Sequence, residues 1–204
     1  GLAHFIEHCI FKGTSKRKAY HILNRMESVG GEVNAYTTKE ETCVYSSFLA
    51  PHYSRAIELI ADITLNSIFP EKEIEKEKDV VIDEINSYLD DPYELIFDEF
   101  EELIFNNHPI GRPILGEKKL IKKFRKEQLI NFIQKHYTAN NLYFSFSGNI
   151  SAKKLKSTLE KHFHTVPFSS AIEEKGSKPK YKTFSITKNK KNYQTHAVIG
   201  CPAY

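Results

Sequence analysis

Gly1-Leu2-Ala3-His4-Phe5-Ile6-Glu7-His8-Cys9-Ile10-Phe11 opens the chain, and the reading of this stretch decides the rest. It contains H-x-x-E-H as His4, Glu7 and His8. On a helix, residues four apart sit one turn above each other, so both imidazoles can point at one spot. Glu7 shares that face, and its carboxylate can reach something bound there. Two neutral nitrogens and one carboxylate for proton transfer suit a hydrolytic zinc site, with a third ligand from elsewhere. The neighbours Leu2, Ala3, Phe5, Ile6, Ile10 and Phe11 are apolar, so the stretch predicts a buried helix. Polar groups left unpaired there cost about 2–3 kcal/mol each, and a metal would offset that cost. The competing reading is a helix with two surface histidines beside a glutamate, and the motif alone does not decide between them. Cys9 points about 100° away from His8, which assigns it to packing.

The chain of 204 residues holds one ordinary domain, or one domain and part of another. With 40% hydrophobic and 12% aromatic residues it can bury a sizeable core. The net charge of +3 reflects 29 basic residues against 26 acidic ones, which argues against nucleic acid as a partner. The late lysines, Lys175 to Lys191, read as a solvated face or linker. Cys9, Cys43 and Cys201 are too few for a disulfide framework and suit a reducing compartment. No apolar run is long enough for a membrane span, and no signal-peptide pattern is present. Met26 is the only methionine, so the chain is expected to start inside a longer protein.

Gly13 is expected to close the first helix and Ser15 to cap a second, with Ala19, Ile22, Leu23, Met26 and Val29 at helical spacing. Gly30-Gly31 stops it. Glu32 to Thr38 and Thr42 to Phe48, rich in Val, Thr and Tyr, predict an antiparallel hairpin. Pro51 opens a helix that Pro70 ends. A long charged helix follows from Glu71 to Leu89, with Ile74, Val81, Ile85 and Tyr88 as its inward stripe. Asp90-Asp91-Pro92 breaks it before a further helix carrying Leu95, Ile96, Phe100, Leu103 and Ile104. Residues 106–113 form a loop, and Lys126 to Tyr137 a helix. Leu142 to Ser147 reads as a strand, and Ser151 caps a helix bearing Leu155, Leu159 and Phe163. Two more strands are expected, Tyr181 to Thr187 and Thr195 to Cys201.

The long acidic helix is the natural source of a third ligand. Glu77 and Glu84, seven residues apart, share one face. Glu84 stands out because it lies in Val80-Val81-Ile82-Asp83-Glu84-Ile85, the most apolar part of that helix.

At this point the chain resembles the pitrilysin/insulinase metallopeptidases, the inverzincins, in which H-x-x-E-H inverts the usual zincin order. The resemblance rests on Gly1 to His8 followed by Phe11-Lys12-Gly13-Thr14, on Gly31 to Thr37 and on Glu73 to Ile85. His108-Pro109 with Gly111 to Gly116, and Asn141 to Gly148, also match. Glu84 lies 76 residues beyond His8, the spacing at which that family carries its third ligand. Within the family the chain looks most like the bacterial processing-peptidase type.

The resemblance implies an α+β fold, a mostly antiparallel mixed sheet with helices packed on it. It implies that His4, His8 and Glu84 bind Zn²⁺ and leave a fourth position for water. Glu7 would act as general base, and Glu77 would serve near the site in support of it. Asn34, Ala35 and Tyr36 match the strand whose edge binds substrate backbone, which suits cleavage of extended or unfolded peptides. The implied partners are a peptide substrate and a second half of the same chain or a partner subunit, with a homodimer as a further option. Neither nucleic acid nor membrane is implied. The bacterial cytoplasm is the expected location, with a mitochondrial or plastid matrix as the alternative.

The expected organisation is a zinc-peptidase domain over 1–168 that lacks its first strands, a linker over 169–180, and the start of a truncated second half over 181–204. A piece of this kind is expected to bind zinc but cleave peptides poorly. A competing reading is a non-catalytic partner subunit of the same family. Retention of His4, Glu7, His8 and Glu84 argues for the enzyme.

Overall fold

The computed structural model describes residues 1–105, 107–168, 181–190 and 193–201. Among them are eight α-helices: α1 (Leu2–Ile10), α2 (Ala19–Glu27), α3 (Tyr53–Leu65), α4 (Glu71–Leu89), α5 (Pro92–Ile104), α6 (Lys118–Ile121), α7 (Lys126–His136) and α8 (Ala152–Phe163). Two strands, β1 (Glu32–Thr37) and β2 (Thr42–Ser47), pair antiparallel, with Glu32 opposite Ser47 and Thr37 opposite Thr42. The class is α+β. No helix among the described residues is long and apolar enough to cross a membrane.

α1 sits at the centre. Phe5, Ile6, Cys9 and Ile10 are almost wholly buried, and each large apolar side chain contributes about 1.5–3 kcal/mol by leaving water. α1 packs on α4, β1, β2 and α7, and the Phe5 ring tilts against Phe124 at 5.4 Å. Its start is fixed by a close backbone approach. A Cβ on Gly116, where φ is +79°, would lie 2.6 Å from the Gly1 Cα, so only glycine fits there.

α4 is about 28 Å long and turns Ile74, Val81 and Ile85 into the core. α2 ends as its sequence predicts. Gly30, at φ +71°, lets Gly31 N–H reach the Met26 carbonyl and its own N–H reach that of Glu27, each at 3.0 Å. Asp91 caps α5 by accepting from Tyr93 N–H at 2.9 Å, with Pro92 at the first helical position. Ser151 caps α8.

Several expectations need correction. Ser15 caps no helix. Its N–H goes to the Asn66 carbonyl at 3.0 Å, and the Thr14 hydroxyl accepts from the N–H groups of Lys16 and Arg17 at 3.1 and 2.9 Å. That turn delays α2 to Ala19. It is pinned to α3 by Asp62, which accepts from Thr14 Oγ1 at 2.8 Å and also pairs with Arg17. α3 ends at Leu65, not at Pro70, which instead precedes α4. α6 carries too short an apolar pattern to be read in advance.

The mostly antiparallel mixed sheet expected from the resemblance is, among the described residues, a two-stranded antiparallel hairpin. Leu142 to Ser147, Tyr181 to Thr187 and Thr195 to Cys201 form no strand. A strand needs a neighbour to satisfy its backbone, and no described segment pairs with these three. The linker expected over 169–180 and the last residues, 202–204, lie outside the described residues.

The hairpin turn sets the hydrogen-bond phase of β1. Thr38 N–H bonds the Glu41 carbonyl at 2.8 Å. By the alternation of an antiparallel ladder, the backbone groups of Val33, Ala35 and Thr37 then face away from β2. No described strand covers that edge.

Candidate metal centre

Three side chains converge where α1 crosses α4. His4, His8 and Glu84 offer one ligand atom each, all within 4.8 Å of one another. His4 Nε2 lies 3.6 Å from Glu84 Oε1, and His8 Nε2 lies 3.4 Å from Glu84 Oε2. The imidazoles meet edge to face with centroids 4.7 Å apart, the outcome of their four-residue spacing on α1. His4 meets Glu84 and His8 meets Glu77, so the two helices run antiparallel and present paired positions along one seam.

The donor set fits zinc. Ligands at 2.0–2.2 Å in a tetrahedron stand about 3.3–3.6 Å from each other, close to the two nitrogen–oxygen separations here, which run to different oxygens of Glu84. Burial pushes His4 down to about 4, helped by the neighbouring His8 and the amino terminus, so at neutral pH this imidazole keeps its lone pair. His4 Nδ1 is buried with no hydrogen-bond partner among the described residues. Leaving such an atom unpaired costs about 1–3 kcal/mol, and ligation through Nε2 would have to outweigh that cost, because it fixes the hydrogen on Nδ1.

His8 is held differently. Its Nδ1 lies 3.3 Å from Glu77 Oε2, and Glu77 Oε1 meets Lys12 Nζ at 2.7 Å. Because a carboxylate only accepts, Glu77 calls for hydrogen on Nδ1, and an ion between Nε2 and Glu84 would then meet the Nε2 lone pair. The Glu77 side chain is 7% exposed and that of Glu84 is 42% exposed. Glu84, although it lies in the most apolar part of the helix, is thus the more exposed of the two, and Glu77 is the buried one. What distinguishes Glu84 is its place opposite both imidazoles.

Glu7 stands outside the converging triangle. Its Oε2 accepts a 2.6 Å hydrogen bond from Thr37 Oγ1, which ties α1 to the last residue of β1. Tyr137 is near enough for the Glu7 charge to act on it. Burial first, and then that charge, push its phenol up to about 12. Asn34 and Tyr36 are exposed on β1 and Ala35 is half-buried between them. Asn34 Oδ1 accepts from Ala35 N–H at 2.9 Å.

Lys12, Thr37 and Tyr137 were not assigned to the site from sequence. Lys12 and Thr37 do lie inside the two motif stretches, Phe11 to Thr14 and Gly31 to Thr37. Cys9 is buried and its thiol is pushed up to about 12 by that burial, so packing is its role. His164 Nδ1 donates to the Lys161 carbonyl at 2.9 Å just beyond α8, as suits a helix end.

A two-histidine, one-glutamate cluster backed by a buried carboxylate, on an inverted H-x-x-E-H helix, has the make-up of a metallohydrolase centre. Residues 1–118 match the family Insulinase (Peptidase family M16), and residues 123–204 match the Peptidase M16 inactive domain. The chain belongs to the insulinase family, M16. It is 42% identical over 166 residues to an uncharacterized zinc protease of Rickettsia felis, covering 81% of this chain and 40% of that protein. It is 36% identical over 205 residues to the uncharacterized zinc protease YmxG of Bacillus subtilis, covering 98% of this chain and 48% of that protein. The crystal structure of pitrilysin superposes with a TM-score of 0.78 at 22% identity, covering 89% of this chain and 20% of that chain. The chain thus spans less than half the length of these sequence relatives.

Proposed function

We propose that this chain carries the zinc site of an endopeptidase that hydrolyses peptide bonds in extended or unfolded segments. The observation that carries this reading is the convergence of His4, His8 and Glu84 within 4.8 Å beside Glu7. His4, His8 and Glu84 would hold Zn²⁺. When bound, zinc supplies Lewis-acid polarisation of the scissile carbonyl and makes water a stronger acid.

The protein does the rest. Glu7 takes the proton from the attacking water and delivers it to the leaving nitrogen. The Thr37 hydroxyl holds Glu7 Oε2 at 2.6 Å, so Oε1 is the oxygen left for that transfer. Glu77 orients His8. An extended peptide is accepted along Asn34, Ala35 and Tyr36, on the outer edge of β1. Main-chain pairing there gives affinity without reading side chains.

The relatives' length supports a further participant, a second half of the same protein or a partner subunit, closing over the substrate. A homodimer would serve the same end. The 204-residue chain by itself binds zinc and cleaves poorly. Three free cysteines, one of them exposed, support a reducing compartment, the bacterial cytoplasm or an organelle matrix.

The test is peptide hydrolysis and metal content of the full-length protein against its Glu7→Gln variant. Zinc retained with hydrolysis lost is the expected result. Equal hydrolysis by both proteins contradicts the mechanism.

A further inference from the structure

Lys12 lies just past the end of α1, outside the H-x-x-E-H motif, and yet its ammonium is aimed at the site. Nζ stands 2.7 Å from Glu77 Oε1, while Glu77 Oε2 stands 3.3 Å from His8 Nδ1. The three groups form one line, from ammonium to carboxylate to imidazole, that ends at the ligand seam. Glu77 is 7% exposed and Lys12 30%. A carboxylate so buried needs a partner, and a buried charge stripped of its partner is strongly destabilised.

The geometry divides the work between the two carboxylate oxygens. Lys12 takes Oε1, which fixes the rotation of the carboxylate and turns Oε2 towards His8. Oε2 has only lone pairs to offer, so Nδ1 donates to it, and Nε2 is left to give its lone pair to an ion held between His4, His8 and Glu84. Without Lys12, the Glu77 side chain is free to turn, and His8 loses the contact that selects its tautomer. His4 has no such support, because its Nδ1 has no partner among the described residues. The tautomer of the site is therefore set from the His8 side.

We propose that Lys12 is a positioning residue for the metal centre, which holds Glu77 so that His8 is committed to the Nδ1–H tautomer and offers Nε2 to the ion. This rests on the zinc reading given above. It adds a residue to the site and a direction in which the order is imposed, from the α1–α2 loop inwards.

The test uses the full-length protein with Lys12→Met, Lys12→Arg, Glu77→Gln and the Lys12→Met/Glu77→Gln double variant. Zinc dissociation constants come from competition with a chelator. Histidine tautomers come from nitrogen-15 spectra of the metal-free, histidine-labelled protein on a Glu84→Ala background, which removes the second carboxylate facing His8. Lys12→Met is expected to weaken zinc about 10-fold, at the low end for an outer partner of a ligand, and to give His8 mixed tautomers. Lys12→Arg restores both, since it keeps the charge. On the Glu77→Gln background Lys12→Met adds no further loss, because the two act in series.

An equal loss on both backgrounds overturns the proposal, as does unchanged affinity with the His8 tautomer intact. Should Lys12→Met fail to fold, Lys12→Gln carries the same comparison. A wild-type protein that binds no zinc overturns the zinc reading. The tautomer spectra of the metal-free protein then still decide whether Lys12 sets His8.

Discussion

At one end of the seam between α1 and α4, His4 is held by apolar packing. At the other end, His8 is held by charge. His4 is buried, its Nδ1 is unpartnered among the described residues and its pKa is pushed down to about 4. His8 is more exposed and backed by Glu77 and Lys12. In the proposed centre the two imidazoles act together, one kept neutral by the removal of water and the other oriented by a carboxylate. One helix achieves both because its start is packed in the core while its end opens onto the polar loop that carries Lys12.

Glu84 is common to both ends, so its loss has the largest effect. Glu84→Ala is expected to weaken zinc by about a thousandfold or more, beyond the roughly 10–100-fold typical of an outer partner. The fold should survive, since the side chain is 42% exposed. Chelator competition and a melting curve on the full-length protein check this, and undiminished affinity would remove the centre from the seam.

The next effect isolates His4. Its folded pKa of about 4 lies below the ordinary 6.5, so the unfolded chain takes up the proton first. The metal-free protein therefore has this contribution in full above about pH 6.5 and loses it as pH falls towards 4, by about 2–3 kcal/mol at pH 4.5. Urea unfolding at pH 7 and 4.5 should show a smaller loss in His4→Gln than in the wild type. Equal losses would mean that burial does not keep His4 neutral.

Glu77→Gln tests the other end, with zinc weakened by about 10–100-fold and the acid response of His4 unchanged. The smallest effect touches neither histidine. Thr37→Val frees Glu7 Oε2 and is expected to lower kcat about 10-fold, well within what a general base contributes, with zinc affinity and KM unaltered. A fall in zinc affinity would move Thr37 from the base to the metal.

The helices were legible because each closes its own hydrogen bonds and shows a 3.6-residue period. Glu71 to Leu89, Asp91-Pro92 and Ser151 appear where their patterns put them. The segments Leu142 to Ser147, Tyr181 to Thr187 and Thr195 to Cys201 have strand composition and no strand structure. A strand is completed by a neighbour that its own sequence does not contain. Ser15 was a plausible cap, but Thr14, one residue earlier, had the contact with Asp62 that decided the turn.

The site divides in the same way. His4, Glu7 and His8 share one helical face and could be seen in the first line of the sequence. Glu84 was legible through the resemblance, which places a third ligand 76 residues beyond His8, while burial marks Glu77 rather than Glu84. Lys12, Thr37 and Tyr137 act across the fold, over sequence gaps that leave no local period.

The most direct measurement is X-ray absorption at the zinc edge of the zinc-loaded full-length protein. The expected first shell contains only nitrogen and oxygen at about 2.0–2.2 Å, with the outer scattering of two imidazoles, and loses its order in Glu84→Ala. A sulfur at about 2.3 Å, or a shell unchanged by Glu84→Ala, would contradict a centre built from His4, His8 and Glu84.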